Sequence, residues 1–370
     1  MTKQVWTVVR GATDVTSQIQ SMQYSTGRRT QFDSWSPGGL VLTIKNESNQ
    51  ADSYNLNDTI ILTAVGSLNW SQSLYVQEVL YNDLGGDGAG STATVICTDL
   101  LGRLGRIQVF EQSIGSQPTI QQIDTEFASL LPAGALFQFA SNGDSVAAAD
   151  GSYSGTALNR FNLNMVTEQG AINLFGEEIW LFSRSTVQNL AGYLVFNRDG
   201  SGIGSVLPYM DIRRIALGPN YLNTCTAIPS TAAQQNATNT AGVATYGTYG
   251  AEFSTVDNSQ AQALSFAEWQ VFSRDDPDEL SFQISISDTP TSLTNFFDAL
   301  YQNQLVVTVS YKKPGSATPV TTTQIIQGWS MSVNPSRTDI EVFTSPLTYT
   351  NFFTLDSDTF GVLDQSRLGW

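Results

Sequence analysis

The chain has 370 residues, a formal net charge of −16 from 33 acidic and 17 basic side chains, and no histidine. Without clustered Lys and Arg, duplex binding is opposed, because phosphate neutralisation needs them. Without imidazole, catalytic triads, most acid–base pairs near neutral pH and most catalytic zinc or iron sites are nearly closed as classes.

The opening MTKQVWTVVRG carries no apolar stretch followed by a small-residue cleavage site, so no secretion signal is expected. Period-two alternation of Thr, Val, Ile, Tyr and Phe predicts strands over 4–9, 40–46, 58–65, 73–82 and 91–98. Apolar residues at helical spacing predict a helix over 119–131, stopped by Pro132, and another over 156–168, ended by Gly170. Strands follow at 171–175, 178–184 and 192–197, the first two forming a hairpin around Gly176-Glu177. A helix is expected over 259–274 and a shorter one over 291–301, then strands at 280–287, 303–312, 322–333 and 337–344. The segments 137–157 and 226–260, rich in Ser, Ala, Thr, Asn and Gly, read as loops or weakly ordered connections. The apolar runs at 59–65 and 304–309 are far below the roughly 20 residues of a spanning helix, so no membrane-spanning segment is expected.

The fold class is therefore mostly β with a smaller α+β part. The first third runs LVLTIKN, NDTIILTA, SLYVQEVLYN, STATVICTD, and the last third runs LSFQISI, NQLVVTVSYK, TTQIIQGWSMSVN, RTDIEVFTSP. In each set the second strand alternates, the third is long and the fourth ends in a T-D or T-S step, which points to a duplicated small β-barrel at the two ends. The expected domains are a first barrel over 1–117, an α+β unit over 118–225 and a polar linker over 226–258. A second barrel with its leading helix covers 259–351, and a tail or clamp covers 352–370.

Each group with chemical potential has a plain alternative. Glu168, Glu177, Glu178 and Asp211 are the carboxylates in partly apolar context from which an acid-only glycosidase pair could be drawn, but surface or helix-end roles suit them better. Asp83 and Asp87 flank glycines that could shape a calcium loop, although a hairpin turn explains the run more simply. The acids at 275–279 read as a helix stop facing water. Arg28 and Arg29 read as solvated or ion-paired surface. Trp35, Trp70, Trp180, Trp269, Trp329 and Trp370 are core or subunit-interface anchors, or else sugar platforms of a receptor-binding module. Arg367-Leu368-Gly369-Trp370 reads as a clamp on a neighbour. Cys97 and Cys225 form no C-x-x-C pair and are expected as free thiols of a protein made in a reducing cytoplasm. No cofactor is expected, and the chain is not expected to be an enzyme.

Several segments resemble the baseplate-hub-like minor tail proteins of siphophages. DVTSQIQSMQYSTGRRTQFDSW (14–35) is similar to the family's opening strand, G-R turn and aromatic-acidic segment. LVLTIKNESNQAD (40–52) and TATVICTDLLGRLGRIQV (92–109) resemble its first-barrel strands, and ALNRFNLNMVTEQGAINLF (157–175) resembles its middle helix and strand. FFTLDSDTFGVLDQSRLGW (352–370) resembles its L-D, G-V-L-D and R-L-G ending. SLYVQEV (73–79) departs from the pattern in lacking a glycine. The resemblance implies two tube-type barrels per chain and a homotrimer whose six barrels form a pseudo-hexameric ring between tail tube and tip. It also implies tail-tube and tail-tip partners, passage of DNA without specific binding, and a place in the virion after assembly in the host cytoplasm. Arg28, Arg29, Trp35, Arg367, Leu368 and Trp370 are the interface candidates. A carbohydrate-binding receptor module and an acid-only cell-wall hydrolase are the alternatives.

Overall fold

Apolar residues at alternate positions define the first set of strands: in LVLTIK, Leu40, Leu42 and Ile44 are fully buried while their neighbours are not. The computed structural model describes residues 6–65, 70–83, 90–148, 150–190, 192, 194–198, 205–216, 220–274, 280–286, 288–334, 336–347, 352–353 and 367–368. The strands are β1 (Trp6–Arg10), β2 (Ile19–Gly27), β3 (Ser36–Lys45), β4 (Thr59–Ala64), β5 (Ser71–Asn82) and β6 (Thr92–Thr98). They pair antiparallel in the order β2-β3-β6-β5-β4-β1. Asp99 then caps the short α1 (Leu100–Leu104).

The middle of the chain holds β7 (Gln108–Ile114), α2 (Thr119–Phe127), β8 (Leu136–Phe139), β9 (Asp150–Thr156) and α3 (Ala157–Glu168). β10 (Ala171–Phe175), β11 (Glu178–Phe182) and α4 (Arg184–Asn189) follow. Thr156 caps α3, and the helix closes with Gln169 in the left-handed region at φ +58 just before Gly170. The β10–β11 hairpin turns through Gly176 at φ +59, as its sequence implies, and β8 adds to it in parallel. Ile123, Phe127, Phe137, Phe161, Ile179 and Leu181 fill a core of their own between these elements.

The strands β12 (Leu194–Asn197), β13 (Ser205–Leu207) and β14 (Tyr209–Ala216) come next. After them stand β15 (Thr224–Pro229), β16 (Gln235–Thr238), α5 (Thr240–Tyr246), β17 (Gly250–Thr255) and α6 (Gln260–Phe272). The last set is β18 (Leu280–Ile286), α7 (Pro290–Tyr301), β19 (Val306–Lys312), β20 (Pro319–Asn334) and β21 (Arg337–Pro346). Its antiparallel order is β14-β18-β21-β20-β19, with β12 parallel on β19 and β13 parallel on β12.

The five strands β2-β3-β6-β5-β4 and the five strands β14-β18-β21-β20-β19 have one topology: the first, second, fifth, fourth and third strand of each set in chain order. The agreement extends to irregularities. The β5–β6 ladder skips one residue between Val76 and Glu78, and the β20–β21 ladder skips one between Ile326 and Gly328. The β2–β3 ladder skips one between Ile19 and Ser21, and the β14–β18 ladder one between Tyr209 and Asp211. An extra residue in a strand reverses every later side chain relative to its partner, so bulges at matching places fix matching registers. The two sets of strands that look alike in sequence are thus two copies of one unit.

The copies share a single ladder. β2 of the first unit pairs antiparallel with β20 of the second, from Gly27↔Gly328 to Met22↔Val333. Phe296 and Phe297 of α7 pack under the joint, with Phe297 touching Trp6, Trp70 and Trp329 at ring centroids of 5.3, 4.5 and 5.4 Å. Each such ring buried is worth on the order of 2–3 kcal/mol, plus about 1 kcal/mol per favourable aromatic pair. One continuous core serves both units. Among the described residues the ladder is an open path from β13 to β1 with a branch at β20, and neither unit closes on itself.

Three expected boundaries are corrected. Residues 194–216, placed with the middle unit by sequence, pair with the second β unit, because the charges of YMDIRRIA mask the alternation of a strand whose positions are mostly exposed. The expected linker over 226–258 is a three-stranded sheet, β16-β15-β17, with a small core of Leu222, Cys225, Ala227, Ala263, Phe266 and Val271. Its small side chains read as linker because α6 supplies the apolar bulk. That helix packs on β15 and β16 and does not lead the second β unit. Within the expected loop 137–157, β9 pairs antiparallel with β7.

Candidate assembly surface

Gly27 ends β2 at φ +83, and there the chain passes so close to β20 that a Cβ would collide with the Gln327 carbonyl oxygen and stand 2.6 Å from Gly328 Cα. Arg28 follows. Its backbone N–H donates to Gln327 O at 2.9 Å and its Nε to Gln327 Oε1 at 2.8 Å. Nη1 donates to Asp33 O at 3.2 Å and Nη2 to Gly170 O at 3.4 Å, while the guanidinium lies 4.4 Å over the Trp35 ring. Trp35 is 2% exposed, and its backbone N–H and C=O are both bound by the Asn162 amide at 3.1 Å. Burial pulls Arg28 down to about 9, and it remains a cation at neutral pH. Arg28 and Trp35, expected at a subunit boundary, therefore tie β2 to β20 and α3 inside the chain. Arg29 beside them is exposed, with its guanidinium 5.8 Å from the Phe343 ring centroid.

Next to this tie is a cleft of about 170 Å³ that three arginines from distant parts of the chain line: Arg28, Arg184 and Arg274. Arg274 is 8% exposed, stacked 3.8 Å over Phe32 and 5.3 Å from Phe253, and burial lowers it to about 10. Arg184 donates to Gln169 Oε1 at 2.7 Å. Nothing in the sequence places these three together, since they come from separate turns and helix ends.

The carboxylates singled out in sequence are dispersed. Glu168 is 1% exposed and saturated with donors: the Thr119 hydroxyl and the backbone N–H groups of Asp144 at 2.8 Å, Ser145 at 3.1 Å and Arg184 at 3.4 Å. It locks the start of α2 to the end of α3. Glu178 accepts from Trp180 Nε1 at 2.7 Å, Glu177 is half-buried and Asp211 is exposed on β14. Asp83 is exposed and accepts from Asn46 Nδ2 at 3.5 Å; Asp87 and the acids at 275–279 lie outside the described residues. Among the described residues no three His, Cys, Asp or Glu side chains are grouped as metal ligands. Trp35, Trp70, Trp269 and Trp329 are buried and Trp180 half-buried, so none of these offers an open stacking face. Phe352–Phe353 pairs in parallel with Arg367–Leu368, whose side chains, like Trp370 as a whole, lie outside the described residues.

What the surface does offer is strand edge. β14 has β18 on one side and no strand on the other among the described residues. β4 covers β5 only over residues 71–75, leaving the far end of β5 open on that side. Exposed apolar residues gather on these two strands: Leu80 (48%) and Tyr81 (49%) on β5, Met210 (45%) and Ile215 (38%) on β14. Sequence reading missed both edges, because an edge is a property of pairing.

No protein-family model and no curated protein matches the chain. Solved structures do. The chain is similar to the tail protein from Neisseria meningitidis MC58, with a TM-score of 0.63 and 9% identity over 93% of this chain and 97% of that one. It is also similar to the 43 kDa tail protein of prophage MuSo2 from Shewanella oneidensis, with a TM-score of 0.58 and 9% identity over 94% and 97% of the two chains. A component of the E. coli type VI secretion system, itself described as similar to the T4 tail proteins gp27 and gp5, gives a TM-score of 0.51 and 10% identity over 89% and 73%. The fold, mostly β with a smaller α+β part, is that of phage tail and baseplate-like proteins.

Proposed function

We propose that the chain is a non-enzymatic structural protein of a phage tail tip, a baseplate-hub-like component. Three copies associate so that six β units form a ring joining tail tube to tip. The observation that carries the reading is the tandem of two topologically identical units fused edge to edge in one chain, which supplies ring segments in pairs. Across that joint, the sheet face turned away from the core bears Gln23, Ser25, Ser330, Ser332, Asp339 and Glu341 around a hollow of about 620 Å³. A polar face on a chain of net charge −16 suits the wall of a channel that DNA traverses without sticking. The middle α+β unit and the three-stranded module decorate the outside, where neighbouring tail proteins dock. No described helix is long and apolar enough to cross a membrane.

Native mass measurement with negative-stain imaging tests the proposal. A three-copy annulus is expected. A monomer under every assembly condition, or an elongated spike with glycan affinity, overturns it.

A further inference from the structure

The joint inside the chain prescribes a second joint between chains. Matching ladders give the correspondence residue by residue. Ile212↔Ile284, Arg213↔Gln283 and Arg214↔Phe282 on β14–β18 stand where Met22↔Leu42, Gln23↔Val41 and Tyr24↔Leu40 stand on β2–β3. Glu78 and Val79, beyond the bulge of β5, stand where Gly328 and Trp329 stand on β20. In the observed joint β2 lies on β20 with Thr26↔Trp329, Ser25↔Ser330, Tyr24↔Met331 and Gln23↔Ser332. The counterparts of those two strands are β14 and the far end of β5, and both are open edges among the described residues.

We propose that β14 of one copy pairs antiparallel with residues 79–82 of β5 in a second copy, repeating the β2–β20 ladder. Its register sets Ala216 opposite Val79, Ile215 opposite Leu80, Arg214 opposite Tyr81 and Arg213 opposite Asn82. The side chains suit this register. Ile215 and Leu80, 38% and 48% exposed, cover each other, and directly opposed apolar residues stabilise a sheet. Arg214 meets the ring of Tyr81, 49% exposed, a pairing of cation and aromatic face. The equivalent positions in the internal joint, Ser25 and Ser330, are polar, so the exposed apolar pair is peculiar to the edges that lack a partner. An unpaired apolar edge is an aggregation hazard unless something covers it. Two different edges meet, so the contact is heterologous and each joined copy keeps its other edge for the next copy, which gives a ring where the rotation closes.

The pairing rests on the ring reading for the number of copies and is tested apart from it. The full chain carrying Ile215→Cys together with Leu80→Cys is oxidised and run on a denaturing gel. Directly opposed residues of an antiparallel pair have Cα atoms about 4.5–5.5 Å apart, within the span a disulfide bridges, and the native Cys97 and Cys225 are buried. The double variant is expected to give covalently joined copies, and each single variant none. Ile215→Asp is expected to weaken self-association at least roughly tenfold, while Phe110→Asp, at a site 76% exposed on β7, leaves it unchanged. An annulus that forms without the crosslink, or that tolerates Ile215→Asp, overturns this pairing and spares the ring. A disulfide within one copy overturns the pairing as well. A chain that never associates overturns both.

Discussion

Asp99 holds Gly38: one carboxylate oxygen accepts the Gly38 backbone N–H at 2.7 Å, while the other accepts that of Gly102 at 3.0 Å and caps α1. Asp99 is fully buried, and one side chain therefore fixes the start of β3 against the end of β6. Replacing it by Ala leaves two buried donors without this acceptor. Asp99→Ala is expected to cost about 2–4 kcal/mol in urea unfolding, and Asp99→Asn less, since an amide oxygen still accepts. An Ala variant as stable as the parent would falsify this role.

Asp257 contributes a pH dependence to stability. It is 1% exposed, and burial, with Glu168 adding repulsion, raises its carboxyl from 3.8 to about 6. A folded value above the unfolded one means that the contribution to stability is full below about pH 4 and is lost as pH rises through about 6. Asp257→Asn, which mimics the neutral acid, is expected to gain on the order of 1–3 kcal/mol at pH 7.5 and nothing at pH 4. Equal gains at the two pH values in denaturant titrations would rule the linkage out.

Gly27 is a further test of the joint between units. Its φ of +83 and the closeness of the Gln327 carbonyl leave no room for a side chain. Gly27→Ala is expected to destabilise the fold by about 2–4 kcal/mol, through strain in the left-handed region and displacement of β20. Calorimetry reads this directly; a melting temperature within a degree of the parent contradicts the close approach.

The two thiols supply a simple control on packing. Burial pushes both Cys97 and Cys225 up to about 12. Neither is expected to react with a thiol reagent at pH 8 in the native protein, and both should react in urea. Rapid native labelling at Cys225 would show that the α6-covered sheet opens.

The legible part of this fold was whatever alternation could encode. Leu40, Leu42 and Ile44, or Phe282, Ile284 and Ile286, announce strands because one face is buried, and α7 is visible in the spacing of Leu293, Phe296, Phe297 and Leu300. β2 and β14 are hidden for the opposite reason: IQSMQYSTG is polar at most positions, and in YMDIRRIA the charges of Asp211, Arg213 and Arg214 interrupt the apolar pattern, as in strands at joints and edges. Residues 226–258 read as linker in sequence because Cys225, Ala227 and Ala263 make a core too small to show in composition. Arg28 and Trp35 were legible as special residues, but only pairing across the chain, with Gln327 and Asn162, reveals that they face inward. Ile215 and Leu80 gave no signal, since single exposed apolar residues are ordinary.

The shared ladder between β2 and β20 also bears on how an assembly would grow. Because that seam lies within one polypeptide, it forms at first-order rate during folding and is indifferent to dilution. Only the seam between polypeptides waits on concentration. In an annulus built as proposed, every second seam would be permanent and every other one reversible, so opening and repair would be confined to alternate positions around the circumference.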